Sequence, residues 1–366
     1  MKRVIVLIAL ILTMTCAALA QVAPAAGRRP QFQNAQVEMR SAASGLEAAV
    51  AAAVREQGAR TFWLGYEAPT PASERMMCCF NSVDDANRKC CGGCRLEGER
   101  GGITINGTQN KDCKFDRPEF SNFFVMARFT EGRLAKVRSF SPDCTLDAVN
   151  TLVVWLTDVN PAQSIQWLRQ QITRTDKKVD TSALHAIAIH DHPLADTVLE
   201  QLMAPGNDLK IRKDAAFWLG HERGRRGYEA VRKLAFSDAE DRFREHLTFV
   251  LSQSREKDAI DDVIRMAKQD TSDRVRGQAL FWLAQKASRK AADAITDAME
   301  NDPELAVKKK AVFALGQMRD DEGLNKLIQV AQSHPNRVLR KEAIFWLGQS
   351  KDPRALDFIV KFVEGK

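Results

Sequence analysis

The sequence predicts a mainly α protein. An α-solenoid of about six to seven helical hairpins fills residues 147–366, behind a small cysteine-rich α+β domain at 37–146. Three observations carry that reading. A bulky phrase returns every 32 residues, at Phe217, Phe249, Phe281, Phe313 and Phe345. Apolar residues inside each phrase recur at spacings of three and four, the period of a helix face. Seven of the eight cysteines fall in one segment ahead of the repeats, and none falls within them.

The chain opens on Lys2 and Arg3, followed by the apolar run "VIVLIALILTMTCAALA" ending in Ala18-Leu19-Ala20. Charge, apolar core and small residues in that order predict a signal peptide over 1–20, cleaved after Ala20. The expected location is then periplasmic or secreted. A retained anchor is the rival, because the run approaches the ~18 residues a span requires. A lipoprotein leader fits less well, since Thr13-Met14-Thr15 precedes Cys16. No later apolar run is long enough, so no membrane span is expected after cleavage. The formal charge of +7 becomes +5 without Lys2 and Arg3, with the signs interspersed. A nucleic-acid binder would gather its basic residues in a strip, so none is expected as a partner.

Residues 21–36 read as a flexible lead-in. "VEMRSAASGLEAAVAAAVREQ" reads as one helix with Leu46, Val50 and Val54 on a face. "RTFWLGYEAP" reads as a strand, and "FFVMARFTEGRLAKVRSFS" as a hairpin turning at Glu131-Gly132-Arg133. "SPDCTLDA" is expected to enter the solenoid, with Asp147 or Ser141 as a helix cap.

The mature cysteines are Cys78, Cys79, Cys90, Cys91, Cys94, Cys113 and Cys144. Outside the cytosol such a cluster predicts disulfides stapling a small domain, with one thiol left over and the connectivity open. Two other chemistries compete. Cys91-Gly92-Gly93-Cys94 is a C-x-x-C, as in dithiol redox sites, and Cys78, Cys79, Cys91 and Cys94 are enough thiolates for zinc.

Each repeat has two helical halves. Leu219, Leu251, Leu283, Leu315 and Leu347 stand two positions after the phenylalanines; Ile211, Phe243, Val275, Val307 and Leu339 stand six before. The phrase is expected to be chiefly core. Beside that earlier apolar column runs a basic one, Arg212, Arg244, Arg276, Lys308 and Arg340, expected to pair with acceptors near the turns between units. "VDTSALHAIAIH" adds a unit, and "DAVNTLVVWLTDV" adds a degraded one if Val154 takes the phenylalanine place.

"VRxxAxFxLG" followed by a second helix resembles the HEAT-like repeats first associated with phycobilisome lyases. The resemblance implies a curved surface in which each unit touches mainly its neighbours, with second helices on the concave side. On those helices Glu229, Asp261, Asp293, Asn325 and Asp357, with Lys233, Arg265, Asp297, Gln329 and Lys361 four residues later, form the candidate binding surface. The bilin chemistry of the lyase members is not carried over to an exported chain.

Deoxyhypusine hydroxylase is a di-iron family of similar repeats, with His-Glu ligand pairs just before the aromatic. The matching places here are Lys213-Asp214, Glu245-His246, Gly277-Gln278, Lys309-Lys310 and Lys341-Glu342, none of them His-Glu. His190, His192, His221 and Glu222 fall in successive turns and are the remaining metal candidates. No catalytic residues and no cofactor are expected. The function implied is a non-enzymatic scaffold or adaptor binding a protein partner in the cell envelope. The alternatives are a thiol-redox or metal-dependent enzyme and a structural subunit of a larger assembly.

Overall fold

The computed structural model describes residues 29–73, 77, 93–97, 120–142, 144–173, 176–286, 288–318 and 321–364. The proposed leader and Cys78, Cys79, Cys90, Cys91 and Cys113 lie outside the described residues.

The N-terminal unit is a sheet with helices on one face. In chain order it comprises β1 (Gln31–Ser41), α1 (Leu46–Gln57), β2 (Phe62–Ser73), β3 (Gly93–Arg95), β4 (Phe120–Thr130), β5 (Arg133–Phe140) and β6 (Thr145–Thr157). The strand order is β1-β6-β2-β4-β5, and β3 pairs with the start of β6. β1, β2 and β3 run parallel to β6, while β2/β4 and β4/β5 are antiparallel. The β4/β5 hairpin turns where the sequence places it, with Glu131 at φ 52° and Gly132 at φ 72°.

Two sequence expectations change here. Residues 31–36 of the lead-in and the start of the long helix are one edge strand, β1, whose Phe32, Ala35 and Val37 pack on the sheet core. The helix begins only after Gly45, at φ 119°, and buries Leu46, Val50, Ala53 and Gln57. The segment read as a degraded repeat is β6, the second strand in from the edge. "TLVVWLT" is rich in β-branched and aromatic residues, and Val153, Val154, Trp155 and Leu156 are all buried across both faces of the sheet. Asp147 caps no helix. It accepts bonds from the Val149 N–H (2.9 Å) and the Asn34 Nδ2 (3.0 Å), holding the irregular stretch where Val149 and Asn150 have positive φ. Ser141 likewise lies ahead of a strand, its Oγ accepting from the Met77 N–H at 3.0 Å.

Alternation along β2 sends Phe62, Leu64 and Tyr66 toward the helices and Trp63 to the opposite face, with Phe124, Met126 and Trp155. Gly65 is required by packing: a Cβ there would meet Met126 Sδ at 2.5 Å and the Trp155 ring at 2.8 Å.

α2 (Pro161–Gln170) is capped by Asn160, whose side chain accepts from the Ala162 and Gln163 N–H groups. Six hairpins follow: α3 (Lys177–Ala188) with α4 (Pro193–Met203), α5 (Leu209–Glu222) with α6 (Gly224–Ala235), and α7 (Asp241–Gln253) with α8 (Ala259–Gln269). They continue with α9 (Asp273–Ala284) and α10 (Arg289–Asn301), α11 (Leu305–Gln317) and α12 (Asp321–Ser333), and α13 (Arg337–Gln349) and α14 (Pro353–Val363). One hydrophobic core runs from the helix-facing side of the sheet through the array.

Within each phrase the leucines are core, as are the residues six before the phenylalanines. The phenylalanines are not. Phe217, Phe249, Phe281 and Phe313 are half-buried, and Phe345 is 55% exposed. The reason is angular. At roughly 100° per residue, a position two before the leucine lies about 200° from it and cannot face the same partner helix.

Candidate functional site

Three members of the basic column, Arg212, Arg244 and Arg276, form a buried ladder. Arg276 reaches both carboxylate oxygens of Asp302, Nε to Oδ2 at 2.7 Å and Nη2 to Oδ1 at 3.0 Å, while Nη1 donates to the Asp270 carbonyl at 2.9 Å. Arg244 repeats the pattern on Asp270 (2.9 Å twice) and the Asp238 carbonyl (2.7 Å). Arg212 holds the Asp238 side chain and the Met203 carbonyl. The guanidinium pKa values of Arg244 and Arg276 are raised, chiefly by these carboxylate hydrogen bonds against the cost of burial. Each rung ties a helix to the turn leaving its own unit and, through the carbonyl, to the turn before it. The aspartate column at 238, 270 and 302 shares the 32-residue period; sequence reasoning missed it because the acceptors were left unnamed.

The histidines do not assemble. His190 is fully buried at the junction of sheet and array. Its Nδ1 lies 2.6 Å from the Ala186 carbonyl and its Nε2 2.9 Å from Ser164 Oγ, itself 2.9 Å from Tyr66 Oη. A carbonyl only accepts, so Nδ1 carries the proton and Nε2 accepts from Ser164. The Ser–His distance would suit a nucleophile and base, but both residues and Tyr66 are shut away from solvent. Burial pushes the His190 pKa down to about 4. His192 caps α4, accepting from the Leu194 N–H at 3.1 Å. His221 lies 5.6 Å from the Phe217 ring. Among the described residues no group of three His, Cys, Asp or Glu is arranged to hold a metal. Cys144 is buried and disulfide-bonded. No described helix is long and apolar enough to cross a membrane.

The second-helix columns lie on the surface, and most members are engaged. Glu229 pairs with Arg225 (2.8 Å), Asp261 with Lys290 (3.0 Å), Asp297 with Lys268 (2.8 Å) and Asp357 with Lys361 (2.8 Å). Arg265 lies over the Phe236 ring at 4.3 Å. Lys233, Asp293, Asn325 and Gln329 are exposed. Much of this face is satisfied by ion pairs along and between its own helices.

The first helices differ. They pack on one another at every step from α3 to α13, whereas second helices come close at few steps. The shorter path runs along the first helices, so the array curves toward them, the reverse of the side expected from the resemblance. Along this inner face the aromatic rings form a ladder. Phe217 stacks on Phe249 (5.8 Å, 2°) and Phe281 on Phe313 (6.2 Å, 4°). Trp282 bridges to Phe249 at 4.8 Å and Trp346 to Phe313 at 4.6 Å.

Two repeat families match the C-terminal part of the chain. Residues 263–331 match the family described as HEAT repeats, and residues 339–365 match the PBS lyase HEAT-like repeat. No curated protein matches in sequence. Among solved structures, human deoxyhypusine hydroxylase in complex with glycerol is 18% identical, with 54% of this chain and 74% of that one covered and a TM-score of 0.28. The complex of CpcE and CpcF of phycocyanin lyase from Nostoc sp. PCC7120 is 15% identical, with 41% and 97% covered and a TM-score of 0.33. HEAT-like repeats thus make up the C-terminal part of the array, within residues 263–331 and 339–365.

Proposed function

We infer that this chain is an exported, non-enzymatic scaffold that holds a protein partner of the cell envelope on the inner face of its repeat array. The half-open aromatic ladder is the observation that supports this most. Five phenylalanines at a fixed period stand on the face toward which the array curves, Phe345 with 55% of its surface exposed. A run of exposed aromatic area of this kind marks an interaction surface. The sheet unit shares its core with the first hairpins and so covers an end of the array that would otherwise expose apolar side chains. Its cysteines, in this reading, form disulfides suited to an oxidising compartment. Export is checked by sequencing the N-terminus of envelope-fraction protein, which should begin at Gln21.

The partner site is tested in cells with a photoreactive amino acid placed singly at 281 or 345 on the inner face, and at 233 or 265 on the second helices. One discrete crosslinked protein is expected from the first pair alone. Crosslinks from the second pair alone would move the site to the outer face. Absence of crosslinks at all four positions would count against the scaffold reading altogether.

A further inference from the structure

Resting on that reading, we propose that the last three hairpins bind one particular kind of partner segment: an extended strand whose alternate residues are apolar and whose intervening residues are Asp or Glu. The floor of this site is Phe281, Phe313 and Phe345. Phe281 and Phe313 are stacked 6.2 Å apart, so each turns a ring face to its neighbour and an edge outward. Ring edges carry the positive end of the aromatic quadrupole. They favour carbonyl oxygens such as those of a strand backbone. The spacing matches roughly two residues of extended chain, about 6.6–6.8 Å. Over Phe281 and Phe313 a strand laid along the array therefore brings every second side chain to a ring.

The two edges of this floor differ in chemistry. Four residues after each phenylalanine stand Gln285, Gln317 and Gln349, on the same helix face as the rings. A primary amide both donates and accepts, which suits a strand's free N–H and C=O groups. On the other edge stand Lys310, three residues before Phe313, and Lys341, four before Phe345. Both lysines are exposed. Neither is in an ion pair among the described residues, whereas the adjacent Lys309 is taken up by Glu342 at 3.0 Å. Gly277 leaves the space in which the Lys310 stem lies, since a Cβ there would run into it. The exposed lysines therefore give this edge of the floor a positive charge that is not offset by ion pairs among the described residues, and carboxylates on the residues alternating with the apolar ones are what complements it.

The test titrates the full chain by calorimetry with the ten-residue peptide (Val-Glu)5. Two controls accompany it, (Val-Lys)5 and a block peptide of five Val then five Glu. Binding of (Val-Glu)5 is expected, with at least tenfold weaker binding of both controls. Reversing charge with Lys310→Glu and Lys341→Glu together should weaken (Val-Glu)5 at least tenfold, and Phe345→Ser should do the same. These side chains are exposed, and circular dichroism checks that the fold is kept. Equal binding of the block peptide, equally tight binding of a heparin oligosaccharide, or indifference to the variants would each overturn the proposal. If (Val-Glu)5 fails while crosslinks still form at 281 or 345, this inference falls and the scaffold reading stands.

Discussion

Arg276→Ala is expected to destabilise the array by about 3–5 kcal/mol, because it strands a buried carboxylate that has lost its bidentate partner. Arg276 and Asp302 are 9% and 5% exposed at their side chains, so water cannot replace the lost bonds. Asp302→Ala should cost a similar amount for the reciprocal reason. Replacing both with apolar residues, Arg276→Met with Asp302→Leu, should recover most of the loss, since it is the unpaired charge that is expensive. The Arg276 bond to the Asp270 carbonyl is lost in either case, so recovery is incomplete. Urea unfolding followed by far-ultraviolet circular dichroism measures the cost. Hydrogen exchange should localise it to α9–α12, because repeats lean on their nearest neighbours. A double variant as damaged as either single one would sink the argument.

The same ladder predicts a gradient along the chain. Arg212, Arg244 and Arg276 each meet an aspartate 26 residues on, but the place 26 after Lys308 is His334. Among the described residues, Lys308 reaches the Glu300 carbonyl, at 2.7 Å, and Arg340 the carbonyls of His334 (2.6 Å) and Pro335 (3.0 Å), and neither meets a carboxylate. The last units are tied here by bonds to backbone carbonyls where the earlier ones have carboxylate partners. They are the part of the array best able to adjust around a bound strand.

The 32-residue period made the hairpins legible because it reports packing that repeats. It said less about direction. The expectation that the phrase is chiefly core treats Phe and Leu alike, although two residues of helix separate them by about 200°. Carrying the period backward also absorbs residues 147–159, where local composition points the other way. The Phe-Trp-Leu-Gly sequence shows how far context decides. At Phe62–Gly65 it is a strand with Phe and Leu on one face and Trp on the other. At Phe217–Gly220 and Phe345–Gly348 the same four residues are helix. What differs is the neighbourhood: β4 and β6 flank the first, and helices flank the others. The bond from Tyr66 to Ser164 was out of reach for another reason. It joins residues 98 apart in sequence, and no local pattern announces such a pair.

That junction gives the second large effect, a loss of stability in mild acid. The His190 pKa is pushed down to about 4 by burial, from an ordinary value near 6.5. His192 and Arg223 lower it further, while the Ala186 carbonyl opposes them. Above pH 6.5 the ring is neutral in folded and unfolded chain alike and contributes nothing to the pH dependence. As pH falls from 6.5 to 4 the unfolded state takes up a proton that the folded state refuses, so stability drops, by on the order of 3 kcal/mol across the window. The geometry explains the refusal. A protonated ring would have to donate from Nε2 to Ser164, which now donates to it, so the Ser164 proton would lose its acceptor inside a closed core. Asp191 N–H bonds the Pro69 carbonyl at 2.9 Å, and Arg223 holds the His190 carbonyl at 2.8 Å, so the loop has little room to yield. His246, also held down to about 4 by burial, adds to the same trend within the array. Melting temperature measured from pH 7.5 to 4.5 should therefore fall steeply below pH 6.5 in the native chain. In His190→Gln, whose amide has no titrating proton, the slope should be visibly shallower, whatever the variant's stability at neutral pH. A slope identical to that of the native chain would mean that the junction does not govern the acid response.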